Sequence, residues 1–487
     1  MVDRSHIFSD ITVDDHIRDS HSMDMPMFYS KRQFITSFMS SALFSSTLYG
    51  KVKAFDAFSN NTQSIKSVRN RYRNIISISA LGSWGTEDDT TLFQKVMSDH
   101  DALFIPHGIT INIKSDIFLP DGHMLIGEGS GSRIIMECNS RPNNIKLHIS
   151  NNSSIENIYF EESKTIFRSG LYGTIFGDGV NNCTMKNIEV SKSSSTGIML
   201  INCSNIFIDS CYVHNSMADG IHAQRGSHGI RVRKCKIERS GDDGIAFVSH
   251  GFDKYGSVYD CTATNCAVTG VEKTGSGVAV IGARNVTVTG CQIDGTPMSG
   301  IRISSAGFGV EGSTIAEDIT VTGNTISNAG TGRSINNNGG IFIEGCQNVV
   351  VRGNHIISPR SWGIATSNVV KNIDIANNII ERPGDVGLFI STARGDAEYE
   401  KMWRNTASTA GNRSGPITIA ENTIVDAVAA GVHIAGEKGY PAKEILVQKN
   451  IVQSLRPAPG RLKLEAIRID AAGGTVTLRG NQNRVLQ

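Results

Sequence analysis

The sequence predicts an all-β solenoid of short parallel strands, and three observations lead to this prediction. A glycine followed by an apolar, a variable and an apolar residue recurs at a base period of 23 or 24 residues. Two further ladders of alternating apolar residues run between these repeats. Glycine is abundant, with 50 of 487 residues, while proline accounts for only 11, so we expect the glycines to serve repeated turns.

The first ladder supplies one strand to each coil of the predicted solenoid. It runs through residues 197–200, 220–223, 244–247, 277–280, 300–303, 340–343, 363–366, 387–390 and 431–434, and closes at 466–469. Longer intervals, such as the 40 residues between Gly300 and Gly340, predict insertions between some coils.

The second and third ladders complete a three-stranded coil. The second includes residues 205–208, 285–288, 318–321, 348–351 and 372–375, and the third includes 211–213, 235–237, 291–293, 324–326, 354–356, 378–380 and 422–424. Each member of the third ladder begins with Cys or Asn, which predicts internal stacks of these side chains at the turns. The nine cysteines form no Cys-x-x-Cys pair, so we expect buried free thiols rather than disulfides or a zinc site.

The amino-terminal end of the solenoid needs protection against edge-to-edge pairing of its open strands. Asp88, Asp89 and two threonines precede Leu92, Phe93 and Val96. This pattern predicts a capped amphipathic helix that covers the first coil. Residues 103–108 and 117–122 follow as early strands and turns.

Residues 1–70 differ from the repeats and are predicted to form a leader, with the solenoid domain at 71–487. Lys31 and Arg32 precede a modestly apolar run at 34–49, and Ala54 offers a small residue at a cleavage site. This segment resembles a twin-arginine export signal with Lys31 in place of the first arginine, which implies a periplasmic or secreted protein. An amphipathic amino-terminal helix is the alternative.

Composition excludes several classes of protein. The formal net charge is +1, with 47 Lys and Arg against 46 Asp and Glu, so no global field favours binding to nucleic acid. The sequence contains no apolar run long enough to span a membrane. Glycines lie in repeat register rather than in nucleotide-binding loops.

The position before each repeat glycine carries the chemistry of greatest interest. Aspartate occupies it on two successive coils, as Asp219 and Asp243, and Asp242 adds a third carboxylate. Strands of adjacent coils lie about 4.8 Å apart, so we expect Asp219 and Asp243 to stack. Like charges at this separation repel, which favours a functional cluster in which one acid is protonated beside ionised ones. The alternative is that Asp-Gly is simply a favourable turn dipeptide.

These motifs resemble the pectate-lyase-like superfamily of right-handed parallel β-helices, whose opening pairs an Asp-Asp-Thr helix with a strand ending in Pro-x-Gly. Within that superfamily the acids resemble those of polygalacturonase-type glycoside hydrolases. The matching run comprises Asp219, the Asp242–Asp243 pair and Arg302, while Ser276 and Ser304 replace the family's His and Lys. The resemblance implies an inverting hydrolysis with Asp242 as general acid and with Asp219 and Asp243 holding the attacking water. The loss of the Lys weakens the expectation of a uronate at the cleavage subsite.

Further candidate residues surround this run. His222, two residues after Gly220, is predicted as an acid/base partner of Asp219, although an exposed His is often merely solvated. Arg302 and Ser276 are expected to bind substrate, as is His250 nearby. Phe342 and Trp362 are candidates for a sugar-stacking face, unless inserted loops cover them.

Several functions stay open at this point. The leading hypothesis is an exported enzyme that hydrolyses a polysaccharide without a metal or cofactor. A lyase or C5-epimerase is the alternative, in which His222 or Arg302 removes the C5 proton and calcium assists. A phage tailspike, an adhesin or a purely structural repeat protein would use the same scaffold. The oligomeric state, monomer or trimer, is left open by the sequence.

Overall fold

The computed structural model describes residues 75–137, 145–164, 167–170, 172–249, 255–305, 314–332, 339–391, 414–436, 444–457, 464–470 and 475–484. The predicted leader at 1–70 and its export signal lie outside these residues, and both stay predictions. None of the helices among the described residues is long and apolar enough to cross a membrane.

The predicted first ladder forms one parallel sheet of 13 strands, called sheet I here. Each strand pairs with its counterpart in the next coil, as when Ile221 aligns with Ile245 and Ile245 with Val278. The strands are Ile117–Phe118, Leu147–His148, Gly173–Asp178, Thr196–Ile201, Ile221–Gln224, Ile245–Val248, Val278–Ile281, Ile301–Ser304, Gly339–Glu344, Trp362–Ser367, Leu388–Ser391, Ala430–Ala435 and Glu465–Asp470.

The second and third ladders form a parallel sheet of 27 strands, called sheet II. The second ladder begins with two strands that precede the predicted repeats and pair in parallel with each other, the second of them also with the strand Met124–Glu137. Its strands are Ile76–Ser77, Ala102–Phe104, Met124–Glu137, Ser154–Ser163, Thr184–Lys186, Phe207–Asp209, Arg231–Arg233, Tyr259–Thr264, Arg284–Thr289, Glu317–Thr322, Gln347–Arg352, Lys371–Ala376, Ile417–Ala420, Ile445–Gln448 and Val476–Arg479.

The strands of the third ladder are shorter, mostly of three residues. They are Thr110–Ile113, Glu189–Ser191, Tyr212–His214, Lys236–Glu238, Ala267–Thr269, Gln292–Asp294, Thr325–Ser327, His355–Ile357, Ile379–Glu381, Thr423–Val425, Ile451–Val452 and Gln482–Asn483. Two short strands, Ala427–Val428 and Leu455–Arg456, pair separately. The prediction of three short parallel strands per coil is confirmed.

The core is a single apolar column inside the coils, formed by the inward residues of both sheets. A polar stack runs beside it. Asn354, Asn378 and Asn422 are buried, and each Nδ2 donates to the Oδ1 of the next asparagine at 2.9 Å. Earlier coils carry cysteines at this position, and eight free cysteines are buried, as expected. Cys138 lies outside the described residues.

Glycines such as Gly290 and Gly323 have positive φ at turns, as the composition predicted, but the glycines of the first ladder serve close packing instead. A Cβ on Gly220 would lie 2.5 Å from the Cγ2 of Ile237 and 2.6 Å from the carbonyl oxygen of Gly244. Gly220 does not have the positive φ that favours glycine at a turn. The glycine therefore lets the third-ladder side chain and the next coil approach sheet I.

The capping helix is present at Thr90–Asp99, preceded by a 3₁₀ turn at Ile78–Ala80. Phe93, Val96 and Met97 are buried against the first coil. Asp88, the residue before the N-cap Asp89, supports the start of the helix, because its Oδ1 accepts from the backbone N–H of Thr90 at 3.0 Å. Asp89 instead accepts from the N–H of Asn112 at 2.9 Å, which ties the helix to the coil beneath it.

Candidate active site

The acidic cluster consists of Asp219, Asp242 and Asp243. These residues lie in the turns that precede the sheet I strands of two adjacent coils. The N–H of Gly220 donates to the carbonyl oxygen of Asp243 at 3.0 Å, and the N–H of Gly244 donates to that of Ser276 at 2.9 Å. Asp219, Asp243 and Ser276 therefore occupy the same position on three successive coils. The stacking predicted for Asp219 and Asp243 is confirmed.

The turn that carries Asp242 and Asp243 is held tightly from both sides. The N–H of Gly241 donates to the carbonyl oxygen of Ala218 at 3.0 Å. On the other side Gly275, with φ of +101°, packs so closely that a Cβ would lie 2.5 Å from the backbone nitrogen of Asp243. Glycine at this position allows the next coil to hold the Asp242–Asp243 peptide in place.

A buried glutamate supports the turns on the amino-terminal side of this cluster. Glu162 accepts from the N–H of Ser194 at 2.9 Å and from the hydroxyl of Thr174 at 2.6 Å. The carbonyl of Ser195 in the same turn accepts from the N–H of Ala218 at 3.0 Å, and Ala218 in turn contacts Gly241. Burial raises the pKa of Glu162 above its usual range.

The three carboxylates converge. One oxygen from each of Asp219, Asp242 and Asp243 lies within 4.8 Å of the other two. Asp219 is largely buried, with 10% of its side chain exposed, whereas Asp242 leaves 31% exposed. The cluster is therefore open to solvent on the side of Asp242.

Each carboxylate has a different hydrogen-bond partner. His222 Nδ1 lies 2.5 Å from Asp219 Oδ2, Arg168 Nη2 lies 3.2 Å from Asp242 Oδ2, and the N–H of Ser276 donates to Asp243 Oδ1 at 2.6 Å. The predicted contact between His222 and Asp219 is thus present.

The proximity of these acids changes their protonation. Burial, followed by the charges of Asp219 and Asp242, raises the pKa of Asp243 well above its usual range. Burial and the charge of Asp219 also raise the pKa of Asp242, although Arg168 and His222 oppose this shift. The cluster therefore retains a proton at a pH at which isolated aspartates have lost theirs.

Arg168 was missed by the sequence analysis. It lies 74 residues before Asp242, in a segment outside the repeat register, and 53% of its side chain is exposed. The adjacent Ser169 anchors the segment, because its N–H donates to the carbonyl of Ser194 at 2.7 Å. No pattern in the sequence pointed to this arginine.

Arg302 lies where the repeat register places it. On successive strands of sheet I, His222 aligns with Ala246, Ala246 with Ala279, and Ala279 with Arg302. Its Nη2 is 3.6 Å from Glu344 Oε2, and its charge lowers the pKa of Asp243, so it lies near the cluster. Glu344 was not predicted, although the register aligns it with Ser304 and so places it beside Arg302.

Buried polar atoms close to the cluster lack hydrogen-bond partners among the described residues. They are His222 Nε2, Ser276 Oγ and Arg302 Nε. Such atoms are costly to bury, and their concentration beside three carboxylates is typical of a site built for a ligand. Ser276 is fully buried, so the structure has it orient Asp243 through its backbone rather than line the surface.

The predicted aromatic residues lie farther along sheet I. Phe342 has 4% of its surface exposed, so it does not present the open stacking face expected of it. Trp362 is partly buried, and its ring stacks on Phe389 with centroids 5.1 Å apart. His250 lies outside the described residues.

Comparisons with known proteins agree with this architecture. Residues 121–255 and 254–483 match the family model of the right-handed beta helix region. These matches cover more than half of the 487 residues, so the chain belongs to the right-handed beta-helix family.

Solved structures with the same fold act on carbohydrates. The catalytic domain of a GH87 alpha-1,3-glucanase in complex with nigerose has a TM-score of 0.58 and 20% identity, over 84% of this chain and 69% of that one. The catalytic unit of a thermostable GH87 alpha-1,3-glucanase from Streptomyces thermodiastaticus gives 0.57 and 15%, over 82% and 68%. The A-module of the mannuronan C-5 epimerase AlgE6 from Azotobacter vinelandii gives 0.49 and 14%, over 83% and 99%. At these identities the likeness to the two GH87 structures, whose TM-scores exceed 0.5, establishes the fold alone.

Proposed function

We propose that this protein is a polysaccharide-cleaving enzyme, and specifically a glycoside hydrolase whose chemistry is carried by Asp219, Asp242 and Asp243. The observation that carries the proposal is the convergence of three carboxylates within 4.8 Å, two of them with raised pKa. Glycosidic cleavage needs one protonated and at least one ionised carboxyl group at the same bond.

Asp242 is the general acid in this proposal. Its side chain is more exposed than that of Asp219, so a glycosidic oxygen can reach it. Its raised pKa keeps a proton available for the leaving group. As that oxygen accepts the proton from Asp242, the bond to the anomeric carbon breaks.

Asp219 and Asp243 hold the attacking water, and Asp219 takes its proton. Each has one oxygen bound, Asp219 to His222 and Asp243 to the N–H of Ser276, which fixes the direction of the other oxygen. The water adds to the anomeric carbon and its proton passes to Asp219. Arg302, near Asp243, leaves 19% of its side chain exposed and is suited to bind a sugar hydroxyl.

The product anomer tests this arrangement. Inverting pairs of carboxyl groups usually lie about 6.5–9.5 Å apart and retaining pairs about 5–5.5 Å, while the nearest oxygens of this cluster lie within 4.8 Å of one another. We assign inversion, because two carboxylates that share one water need not leave the usual gap. The resemblance of the motif to polygalacturonase-type hydrolases supports the same assignment.

The structural neighbours support carbohydrate as the substrate class. The GH87 alpha-1,3-glucanase domains were determined in complex with nigerose and with tetrasaccharides. A rigid sheet I with acids on its outer side would offer this chain a comparable platform for a glycan.

A lyase or C5-epimerase is the second candidate, favoured by one observation. His222 is tethered through Nδ1 to Asp219, while its buried Nε2 has no partner among the described residues. Such a histidine can remove a proton from the C5 carbon of a uronate. In that case the three aspartates, which could together hold a metal ion, would bind calcium and neutralise the uronate carboxylate.

The test is a polysaccharide panel of soluble starch, dextran, α-1,3-glucan, galactomannan, xylan, polygalacturonate and alginate. We expect new reducing ends without unsaturated uronate, and loss of at least 100-fold in rate in Asp242→Asn, as for removal of a general acid. Ser204→Ala, in a turn away from the cluster, is the control. Unsaturated product would overturn hydrolysis in favour of a lyase, and C5 inversion without cleavage would favour an epimerase.

A further inference from the structure

A second group of residues lies on sheet I, on the amino-terminal side of the acids. The outward positions of successive strands align Phe118 with His148, His148 with Phe176, and Phe176 with Met199, which in turn aligns with His222. Phe118, His148 and Phe176, together with Tyr172, are called the aromatic platform here. The platform therefore continues the same row of side chains that contains His222.

The rings of the platform contact one another. Phe118 stacks on His148 with centroids 4.3 Å apart, and His148 meets the edge of Phe176 at 5.4 Å. Tyr172 packs edge-on against Phe176 at 5.6 Å. These contacts fix the orientation of the rings before any ligand arrives, so little conformational entropy would be lost on binding.

Two of these rings face solvent. Phe118 is 52% exposed and Tyr172 is 43% exposed, which is unusual for large aromatic side chains. An exposed apolar patch next to a polar site marks a surface that binds a partner or ligand. Aromatic faces suit the C–H faces of sugar rings, and the tyrosine hydroxyl can bond to sugar hydroxyls.

The charged groups beside the platform are paired with one another. Asp116 Oδ2 lies 3.1 Å from Lys146 Nζ and 2.9 Å from His148 Nε2, and Lys146 also lies 4.7 Å from the ring centre of Tyr172. The pairing leaves a surface that is polar at its margin and carries little net charge. This composition favours a neutral sugar over a uronate.

The platform lies at a distance from the acids that a polysaccharide bound at the acidic cluster could reach. Phe176 lies two coils from His222 and Phe118 lies four, so the platform spans roughly 10 to 19 Å from the acids along the axis. Phe176 and Met199 in this row are buried, so the glycan would pass over the side chains that cover them, and a few pyranose units span the distance. Arg168, beside Asp242, projects from the segment that leads to Tyr172 and so joins the two regions.

We propose that the aromatic platform is a remote subsite that binds neutral sugar rings of the polysaccharide whose bond is cleaved at the acidic cluster. This inference rests on the proposed function for the identity of the ligand. It assigns to Phe118 and Tyr172 a role in the affinity for long chains and in their placement, and none in bond cleavage.

The variants Tyr172→Ala and Phe118→Ala test this, with Tyr172→Trp to restore a ring. Ile379→Ala is the matched control, because Ile379 is 44% exposed but lies on sheet II. Binding is measured without turnover, in the Asp242→Asn background, by depletion onto insoluble α-1,3-glucan and by retardation in gels that contain dextran or galactomannan. Thermal unfolding of each variant shows whether it is folded.

We expect each alanine variant to bind the retained polymer about tenfold more weakly, since a stacked aromatic contributes about one power of ten in affinity. Tyr172→Trp and Ile379→Ala should bind like the parent. Where the polymer is cleaved, KM should rise on long chains, with kcat on the shortest substrates unchanged. Unchanged binding in folded Tyr172→Ala and Phe118→Ala would overturn the subsite, as would parent protein that none of these polymers retains.

The two proposals fail separately. Cleavage that Asp242→Asn abolishes, together with platform variants that bind normally, overturns the subsite and leaves the hydrolase in place. Weakened polymer binding in the platform variants, together with no cleavage by the wild-type chain, supports the platform as a sugar-binding surface and overturns the hydrolase.

Discussion

Arg168 and Asp242, separated by 74 residues, meet through an Nη2–Oδ2 contact of 3.2 Å at the solvent side of the acidic cluster. The charge of Arg168 opposes the burial that raises the pKa of Asp242. Arg168 thus sets how strongly the proposed general acid holds its proton, although it was not recognisable in the sequence.

Removal of this arginine is expected to shift the pH dependence of catalysis. In Arg168→Ala the pKa of Asp242 rises further, so the acid stays protonated to higher pH and the basic limb of kcat/KM moves upward by about half a pH unit. Arg231→Ala, an exposed arginine on sheet II, is the control. A basic limb that stays in place would show that Asp242 is not the group whose deprotonation ends activity.

Asp243 is expected to lower the free energy of unfolding at neutral pH. Its folded pKa lies well above the usual 3.8, so the folded state binds more protons than the unfolded state between these values, and stability falls as pH rises through that window. Asp243→Asn removes the group whose ionisation is disfavoured in the folded state. We predict a melting temperature about 2 °C higher at neutral pH, an advantage that shrinks below the usual pKa. Equal or lower stability at neutral pH would contradict this account.

The charges around Arg302 predict a preference for neutral glycans. Its guanidinium lies 3.6 Å from Glu344, and Ser304, which aligns with Glu344 on the adjacent strand, adds no positive charge. We expect wild-type cleavage of a neutral polymer to exceed that of polygalacturonate at least tenfold. Glu344→Gln should narrow this ratio, because it releases the charge of Arg302. Faster cleavage of polygalacturonate by the wild-type chain would contradict the assignment.

The asparagine stack is expected to carry a large share of local stability. Asn378 donates through Nδ2 to Val351 and Asn422, and its Oδ1 accepts from the N–H and the Nδ2 of Asn354. Asn378→Ala leaves buried groups unpaired on the adjacent coils. We predict a loss of about 3 kcal/mol in the free energy of unfolding, measured by denaturant titration. Gln292→Ala, on an exposed strand position, should cost less than about 0.5 kcal/mol.

The repeat explains how much of the site was predictable. A period of 23 or 24 residues sets the register between coils, so Asp219, Asp243 and Arg302 could be placed on one sheet from their numbering alone. Arg168 could not, because its segment lies outside the repeat and its contact depends on how that segment folds back. The burial of Phe342 was equally inaccessible, since a sequence period gives the face of a strand but not what covers it.

The glycines also show what amino-acid composition alone does not reveal. Their abundance indicated turns, yet Gly220 is required because Ile237 and the next coil leave no room for a Cβ. Close contacts between coils depend on three-dimensional packing, which residue counts do not contain.

The central claim is that water, held by Asp219 and Asp243, attacks the anomeric carbon. The most direct measurement is cleavage of the best polymer from the panel in ¹⁸O-labelled water, followed by rapid borohydride reduction and mass spectrometry of the fragments. The account predicts one ¹⁸O atom at each newly formed reducing end, produced by the wild-type chain and not by Asp242→Asn. Cleavage without incorporation of ¹⁸O would contradict it, because elimination breaks the bond on the other side of the glycosidic oxygen.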